Sequence, residues 1–292
     1  MIRGIVVVAV ALLILPWDQE AFARTLVPST GQTYYVCASE GDDNNDGLTP
    51  ATCWATRQHA WVFVQQNLDF GGCPFGSNCV TVQLLDGTYV DETMQGVGSL
   101  TGQSFAAAMS FRGNCDNPSK VVIKTPGTAW TADDKAMYAL RCMHITTSKA
   151  GSVLVGSQHG GSLIVLAGGI VLSGGVETGP MLLAQLSAGI IIGGDVTVMG
   201  GGAAFEAAGT GGTVVCLNSC PVSFGEAVNF ASGFAVASDL GIIKTTGMSF
   251  SGIAVGRKFS VSNNAVIDTG EAGANSLPGS MPGVSHHGGI AQ

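Results

Sequence analysis

The feature that most constrains the fold is a repeat of short apolar runs separated by glycines, between about residues 154 and 252. Four stretches share the same three strand segments, called beats below. The first is an apolar strand, the second is a glycine followed by a β-rich triplet, and the third is a strand that ends in glycine. The middle beats begin at Gly161, Gly189, Gly212 and Gly241, at spacings of 28, 23 and 29 residues. One such unit cannot bury its apolar side chains alone, whereas stacked units share a core and hydrogen-bond to the units on either side. The repeat therefore predicts an all-β solenoid.

Composition excludes several other architectures. The chain contains 43 glycines, far too many for a helical protein, because each costs about 1 kcal/mol in a helix interior. Collagen is excluded because there is no Gly-X-Y period. Leucine-rich repeats have similar periods, but their asparagine ladder and helical segment are absent. A β-sandwich stays open as the alternative, although it does not require a three-beat repeat.

One helix is predicted, over about residues 52–69. Thr49-Pro50-Ala51-Thr52 supplies a helix start, Trp54, Trp61, Val64 and Leu68 recur at helical spacing, and Gly71-Gly72 supplies a stop. Solenoid ends expose strand edges, so this helix is expected to cap the first turn. The predicted organisation is a signal peptide over 1–23, a strand, turn and capping helix over 24–79, the β-helix over 80–256, and a C-terminal segment with a flexible glycine-rich tail over 257–292.

The first residues have the pattern of a secretory signal peptide. Arg3 precedes an apolar run over 4–16, and the small-residue site Ala21-Phe22-Ala23 follows. Cleavage near Ala23 predicts a secreted protein, periplasmic or extracellular, with no stable membrane span; an uncleaved anchor is the alternative. The formal net charge of −8 argues against nucleic acid and anionic lipid as partners.

Eight cysteines follow the predicted cleavage site, and an even number in an exported chain favours disulfides over metal sites. Eight cysteines allow about 105 pairings, so sequence does not fix the connectivity. Local pairing is the working prediction: Cys37 with Cys53, Cys73 with Cys79, Cys115 with Cys142, and Cys216 with Cys220.

Both ends of the repeat region resemble a known family. Residues 34–61 (YYVCASEGDDNNDGLTPATCWATRQHAW) and 80–89 (VTVQLLDGTY) resemble the N-terminal part of right-handed parallel β-helix proteins of the pectin-lyase-like superfamily. Residues 250–289 are similar to the end of phage tail-fibre-like and prophage-associated bacterial β-helix proteins, although Phe259 stands where those proteins usually have tyrosine. The resemblance implies a right-handed parallel β-helix and a homotrimer. The cysteines and the signal peptide depart from the phage pattern and suggest a bacterial exported version, which puts assembly on a virion in doubt.

One loop has the spacing of a calcium ligand set. Asp42, Asn44 and Asp46 alternate and Gly47 follows, as in the first half of a calcium-binding loop. The twelfth position is Cys53, so the bidentate glutamate is missing. The favoured interpretation is a turn in which these side chains bond their own backbone, with calcium as the alternative. No other cofactor is expected.

Catalytic residues are not evident from the pattern. The carboxylates of the repeat region are scattered singly, and Asp195 and Asp239 are the weak catalytic candidates. Asp133-Asp134 falls in a polar stretch predicted to bulge out of the solenoid. His144 and His159 look isolated. Residues 151–252 contain one cation, Lys244, which weakens the hypothesis of a uronate lyase.

Two functional hypotheses follow. The first is a non-enzymatic exported β-helix protein, structural or glycan-binding, at the cell surface or outside the cell. Its weak glycan-binding candidates are Trp130 and Tyr138, because flat rings stack on sugars and both residues flank a polar stretch expected at the surface. The alternative is a carbohydrate-active enzyme, a polysaccharide lyase or glycoside hydrolase, that uses the solenoid groove.

Overall fold

The structure is a computed structural model that describes residues 24–90, 93–147, 149–175, 178–226 and 228–292. The predicted signal peptide and its cleavage site at Ala23 lie outside the described residues. Within them the chain is mostly strand, with one α-helix, and every strand pairing is parallel.

Three long sheets run the length of the molecule. The first sheet contains Gln32–Val36, Val80–Leu84, Met109–Arg112, Met137–Arg141, Leu163–Leu166, Gly189–Ile192, Thr213–Cys216, Ile242–Lys244, Val266–Asp268 and Ile290–Ala291. The second contains Gly87–Tyr89, Val121–Lys124, Met143–Thr147, Ile170–Gly174, Val196–Val198, Cys220–Phe224 and Met248–Ser251. The third contains Met94–Val97, Trp130–Asp133, Val155–Ser157, Leu182–Gln185, Gly202–Gly209, Val228–Ala237, Ala254–Gly256, Phe259–Val261 and Val284–Ser285.

From Val80 to Asp268 the chain visits these sheets in a fixed cycle, from the first to the second to the third and back to the first, and the last turn passes from the first sheet to Val284–Ser285 of the third without a strand in the second. Each return places a strand beside its counterpart from the previous cycle, which is the path of a parallel β-helix. The prediction of an all-β β-solenoid is therefore confirmed. The sequence alignment of the middle beats was only partly right, because Leu163, not Gly161, lies opposite Gly189, and Gly189 lies opposite Thr213. The corner loops vary in length, so glycine positions alone do not give the register.

The core is a stack of inward-facing rows, one residue per turn. In the first sheet Tyr138, Ile164, Ile190, Val214 and Ile243 form one row, and all are buried. In the third sheet the corresponding row is Met94, Trp130, Val155, Leu182, Glu206, Ala235 and Phe259. Alternation along each strand directs the intervening side chains outward.

The corner between the third and first sheets has a recurring backbone conformation. At least one residue in each turn there has a positive φ, as in His159 (58°), Leu186 (55°) and Asp239 (50°). Non-glycine residues seldom adopt this region, and histidine, aspartate and asparagine adopt it more readily than most. The residues with left-handed backbone conformation turn the chain sharply at this corner. The side chains at the ends of the preceding third-sheet strands point toward solvent there.

The N-terminal helix is shorter than predicted. Pro50–Thr52 forms a 3-10 turn with Thr49 as its cap, and the α-helix extends from Arg57 to Asn67. Trp54 is not helical; it pairs with Val36 as an extended bridge, and its indole donates to the Asn45 carbonyl oxygen over 2.8 Å. Thr56 caps the α-helix, because its side chain accepts from the His59 N–H. Further 3-10 turns are Phe70–Gly72, Ala106–Ala108, Pro118–Lys120, Gly270–Ala272 and Ala274–Ser276.

The helix nevertheless covers the start of the solenoid. Trp61 and Val64 are buried in the same core cluster as the first strands, and the Trp61 ring lies 5.7 Å from that of Tyr138. A short two-stranded sheet of Thr25–Leu26 and Leu68–Asp69 completes this end.

All four predicted disulfides are present. Their Cα–Cα distances are 5.8 Å for Cys37–Cys53, 5.9 Å for Cys73–Cys79, 4.7 Å for Cys115–Cys142 and 6.0 Å for Cys216–Cys220. Each closes a loop beside the strands, which fits an oxidising compartment.

The C-terminal segment is not a free tail. Phe259–Val261 and Val284–Ser285 extend the third sheet, and Val266–Asp268 and Ile290–Ala291 extend the first. The prediction was a C-terminal segment over 257–292 with a flexible glycine-rich tail, whereas the last strands of this segment are hydrogen-bonded to the preceding turn, and Gly283 packs against the Phe259 ring where a Cβ would not fit. No helix in the described ranges is both long and apolar enough to cross a membrane.

Candidate functional site

The outer face of the third sheet carries a row of planar polar side chains, one from each of three consecutive turns. Asp133, Gln158 and Gln185 follow the inward-facing residues Ala132, Ser157 and Ala184, which are paired across the strands. The Gln158 amide donates to Asp133 Oδ2 over 3.2 Å, and the Gln185 amide donates to Gln158 Oε1 over 3.3 Å. Because parallel strands repeat at about 4.8 Å, the row is periodic along the solenoid axis.

A histidine joins this row from the corner. His159 Nδ1 is hydrogen-bonded to Asp133 Oδ1, so the two carboxylate oxygens of Asp133 contact His159 and Gln158 respectively. The His159 side chain is 56% exposed and that of Asp133 is 17% exposed. The left-handed backbone at His159 places the imidazole over the previous turn, beside the carboxylate. With Nδ1 on the carboxylate, Nε2 is the nitrogen left to face solvent.

Beside the polar row lies a hollow of about 140 Å³. Gly156 forms its floor, between Thr131 on one neighbouring strand and Leu183 on the other. The absence of a side chain at Gly156 creates the hollow, and a Cβ built there would meet its nearest atoms only at 3.9 Å. Gln158 and Gln185 form the polar wall.

Two residues that line the hollow, Thr131 on its outer side and the inward-facing Ser157, have hydroxyls with no hydrogen-bond partner among the described residues. The Thr131 hydroxyl is buried and makes no hydrogen bond with any residue that the structure describes. Buried hydroxyls are nearly always hydrogen-bonded, so an unpartnered one lining a hollow indicates a place for an external donor or acceptor.

On the strand of the preceding turn, Gln95 lies in register with Thr131, and Gln58 of the capping helix bonds the Gln95 backbone. Val97 is the residue in register with Asp133, so the polar row does not extend to this turn.

The aromatic residues predicted to bind glycan are elsewhere. Trp130 and Tyr138 are both fully buried, so neither ring can stack on a sugar at the surface. The expectation that this stretch bulges outward was wrong, since Trp130–Asp133 is a strand of the third sheet with Trp130 facing inward. The Trp130 ring packs 4.9 Å from that of Phe111 and lies 4.6 Å from the Arg57 guanidinium carbon. Burial raises the pKa of Tyr138 well above its usual value, and the nearby Arg57 charge opposes that shift.

The carboxylates considered as catalytic candidates are not brought together. Asp195 Oδ1 accepts from the Gly169 N–H over 3.1 Å at the corner between the first and second sheets. Asp239 Oδ1 accepts from the Asn263 amide over 2.8 Å at the corner between the third and first sheets. Glu206, another carboxylate of the repeat region, is buried in the core. Because these three carboxylates lie at two different corners and in the core, no two of them can act as acid and base on one substrate.

The loop that resembles a calcium site bonds largely to itself. Asp42 Oδ1 accepts from the backbone and side-chain N–H groups of Asn44 over 2.9 and 2.8 Å. Asp46 Oδ1 accepts from the Leu48 N–H and the Thr52 hydroxyl over 3.0 and 2.6 Å. These hydrogen bonds lower the pKa of both carboxyls, with Asn44 and Thr52 as the main causes. The interpretation as a self-bonded turn therefore agrees with the structure, and within the described ranges no three His, Cys, Asp or Glu side chains converge as metal ligands.

His144 occupies the outer face of the second sheet. Its Nε2 lies 2.7 Å from the Ser173 hydroxyl, and burial lowers its pKa. Among the hydrogen bonds of the described residues, none joins His144 to a carboxylate. The pair lacks the orienting acid of a serine–histidine–aspartate arrangement.

Sequence inspection missed the pairing of Asp133 with His159. The two residues are 26 apart in the chain, which is about one turn of the repeat. A search for titratable residues one period apart would have found them. The chain matches no family model, no curated protein and no solved structure.

Proposed function

We propose that this chain is an exported, non-enzymatic β-helix protein that binds a glycan on the outer face of its third sheet. The carrying observation is the periodic polar row of Asp133, Gln158 and Gln185 beside a hollow that contains the unpartnered Thr131 hydroxyl. The signal-peptide pattern of residues 1–23 and the four disulfides support export.

The chemistry of the row suits sugar hydroxyls. Amide and carboxylate groups each offer donors or acceptors in one plane, so adjacent hydroxyls of a sugar ring can bond to them in pairs. A linear polymer lying along the solenoid axis would meet one such group at each of three consecutive turns, from Asp133 to Gln185. Leu183 and Val153 add an apolar wall at the hollow, where the less polar face of a ring would pack.

The test is binding to a panel of neutral hexasaccharides built from β-1,4-linked glucose, xylose or N-acetylglucosamine, and from mannose. Isothermal titration of the secreted protein is expected to give saturable binding to at least one of them. The double variant Gln158→Ala/Gln185→Ala is expected to weaken that binding about tenfold or more, because each lost hydrogen bond is worth about 1 kcal/mol.

The matched control is Gln66→Ala/Gln292→Ala, which removes two exposed amides that belong neither to the polar row nor to the lining of the hollow. The proposal is overturned if no hexasaccharide binds, or if both double variants bind as the unchanged protein does. Folding of each variant is checked by circular dichroism and thermal unfolding.

A carbohydrate-active enzyme is the second candidate, because His159 is held by a carboxylate at the edge of the same row. A histidine oriented in this way has Nε2 free to accept a proton, as a general base requires. Assays for reducing ends and for unsaturated uronates over a polysaccharide panel distinguish the two candidates. Turnover that is lost in His159→Ala and in Asp133→Asn would establish the enzyme and remove the non-enzymatic proposal. The relationship to tail-fibre-like proteins and the homotrimer stay predictions.

A further inference from the structure

A second cavity lies at the corner between the first and second sheets, far along the perimeter from the polar row. Its volume is about 540 Å³. Arg112 and Arg141 line one side of it, next to the disulfide between Cys115 and Cys142. Cavities of this size are in the range of ligand sites, about 300–1,000 Å³.

The two arginines are direct neighbours. Arg112 and Arg141 are partners in register on adjacent parallel strands, so their side chains leave the same face of the first sheet. Like charges placed opposite each other on a sheet repel and destabilise it. The pairing is unusual in a chain with 12 Lys and Arg against 20 Asp and Glu.

No acidic side chain in the part of the chain that the structure describes forms an ion pair with either arginine. Among the described residues, no carboxylate oxygen lies within 4.0 Å of a nitrogen of either arginine. Asp195 borders the cavity, but its Oδ1 accepts from the Gly169 N–H. Lys120, on the adjacent 3-10 turn, is paired with Asp86 over 3.6 Å.

The donors of the arginines are largely unused. Arg112 Nε contacts Cys115 Sγ at 3.4 Å, and Arg141 Nε is buried with no hydrogen-bond partner among the described residues. A guanidinium has five N–H donors and binds planar or tetrahedral oxyanions through two of them at once. Ala167, Gly168 and Gly169 also line the cavity, and because alanine is small and glycine has no side chain they leave room for a ring.

We propose that this corner cavity binds the carboxylate or sulfate group of an acidic polysaccharide through Arg112 and Arg141. The anion supplies the acceptors that the protein lacks and removes the repulsion between the two guanidiniums. The sugar ring that carries the anion lies against Ala167–Gly169. This site is separate from the third-sheet face, so it does not depend on the glycan proposed there.

Affinity electrophoresis tests the proposal at fixed ionic strength, with polygalacturonate, dextran sulfate and uncharged dextran as probes. At least one charged polymer is expected to retard the protein, and dextran is not. Arg112→Gln/Arg141→Gln is expected to weaken retention about tenfold or more, since a hydrogen bond to a charged group is worth about 1.5–3 kcal/mol.

The control is Lys124→Gln/Lys244→Gln, which removes the same charge from exposed positions outside the cavity. Equal losses in both double variants would mean that only net charge matters, and this would overturn the site. The proposal would also be overturned if the arginine variant were retained as strongly as the unchanged protein. It would equally be overturned if no polymer retained the protein while sodium sulfate alone raised its unfolding temperature.

A third variant, Arg141→Lys, keeps the charge but loses the forked donor geometry. It is expected to recover part of the retention. Binding of the neutral hexasaccharides is measured on the same variants, so failure of this site and failure of the third-sheet site give different results.

Discussion

Glu206 lies directly beside Leu182, its in-register neighbour on the preceding turn, in the inward row of the third sheet. The glutamate is fully buried, and neither carboxylate oxygen has a hydrogen-bond partner among the described residues. Its neighbours in the row are Leu182 and Ala235, and the facing row of the first sheet is aliphatic at this level. Loss of hydration therefore raises the pKa of Glu206 to about 8.

A pH-dependent stability follows from this burial. The folded state holds the proton of Glu206 more tightly than the unfolded state, where the pKa is near 4.5, so stability is full below that pH and falls until about pH 8. Within this window the free energy of unfolding is expected to fall by about 1.4 kcal/mol per pH unit relative to Glu206→Met. Denaturant unfolding at several pH values gives both curves. Parallel curves for the two proteins would show that Glu206 does not titrate in the core.

Filling the hollow with a methyl group at Gly156 is expected to weaken glycan binding while leaving the stability of the fold nearly unchanged. In Gly156→Ala the new methyl group meets its nearest atoms at 3.9 Å, so the fold accommodates it and stability changes by about 0.5 kcal/mol or less. The methyl group would nevertheless displace a sugar from the hollow and weaken the binding of the neutral hexasaccharide about tenfold or more. Titration calorimetry and thermal unfolding are run on Gly156→Ala and on Gly160→Ala, where a Cβ would have no atom within 4 Å. Unchanged affinity in Gly156→Ala would place the sugar elsewhere.

Trp130 is expected to matter for stability and not for binding. Its ring is fully buried between Phe111 and Arg57, so Trp130→Ala should cost about 3–5 kcal/mol of unfolding free energy. Trp130→Phe keeps an aromatic ring in the row and should cost less while leaving glycan affinity unchanged. Both quantities are measured by denaturant unfolding and calorimetry. A loss of glycan affinity in a stably folded Trp130→Phe protein would show that Trp130 contributes to glycan binding.

The C-terminal segment is expected to stabilise the end of the solenoid. Deleting residues 282–292 removes the strands that pair with Phe259–Val261 and Val266–Asp268 and exposes both edges. We expect a lower unfolding temperature and a tendency to self-associate, because open strand edges pair with other chains. Gly283→Ala probes the same contact with a single methyl group, since its Cβ would lie 2.1 Å from the Phe259 ring. Scanning fluorimetry and light scattering measure both effects, and a free tail would leave both unchanged.

The sequence by itself determined the class of fold. The three-beat repeat requires stacking, because no turn can bury Ile190 or Val214 without its neighbours. The working prediction of local pairing gave the four disulfides that the structure contains, although the sequence alone did not fix their connectivity.

Only the tertiary structure decided which side of each strand faces water. Trp130 and Asp133 belong to one short strand, yet the pleat sends Trp130 into the core and leaves Asp133 outside beside His159. Side-chain direction alternates with every residue, so an error of one position in register exchanges core and surface. The corner loops set that register through their variable lengths and left-handed residues. The candidate site therefore depends on contacts between turns, which residue spacing in the chain specifies only approximately.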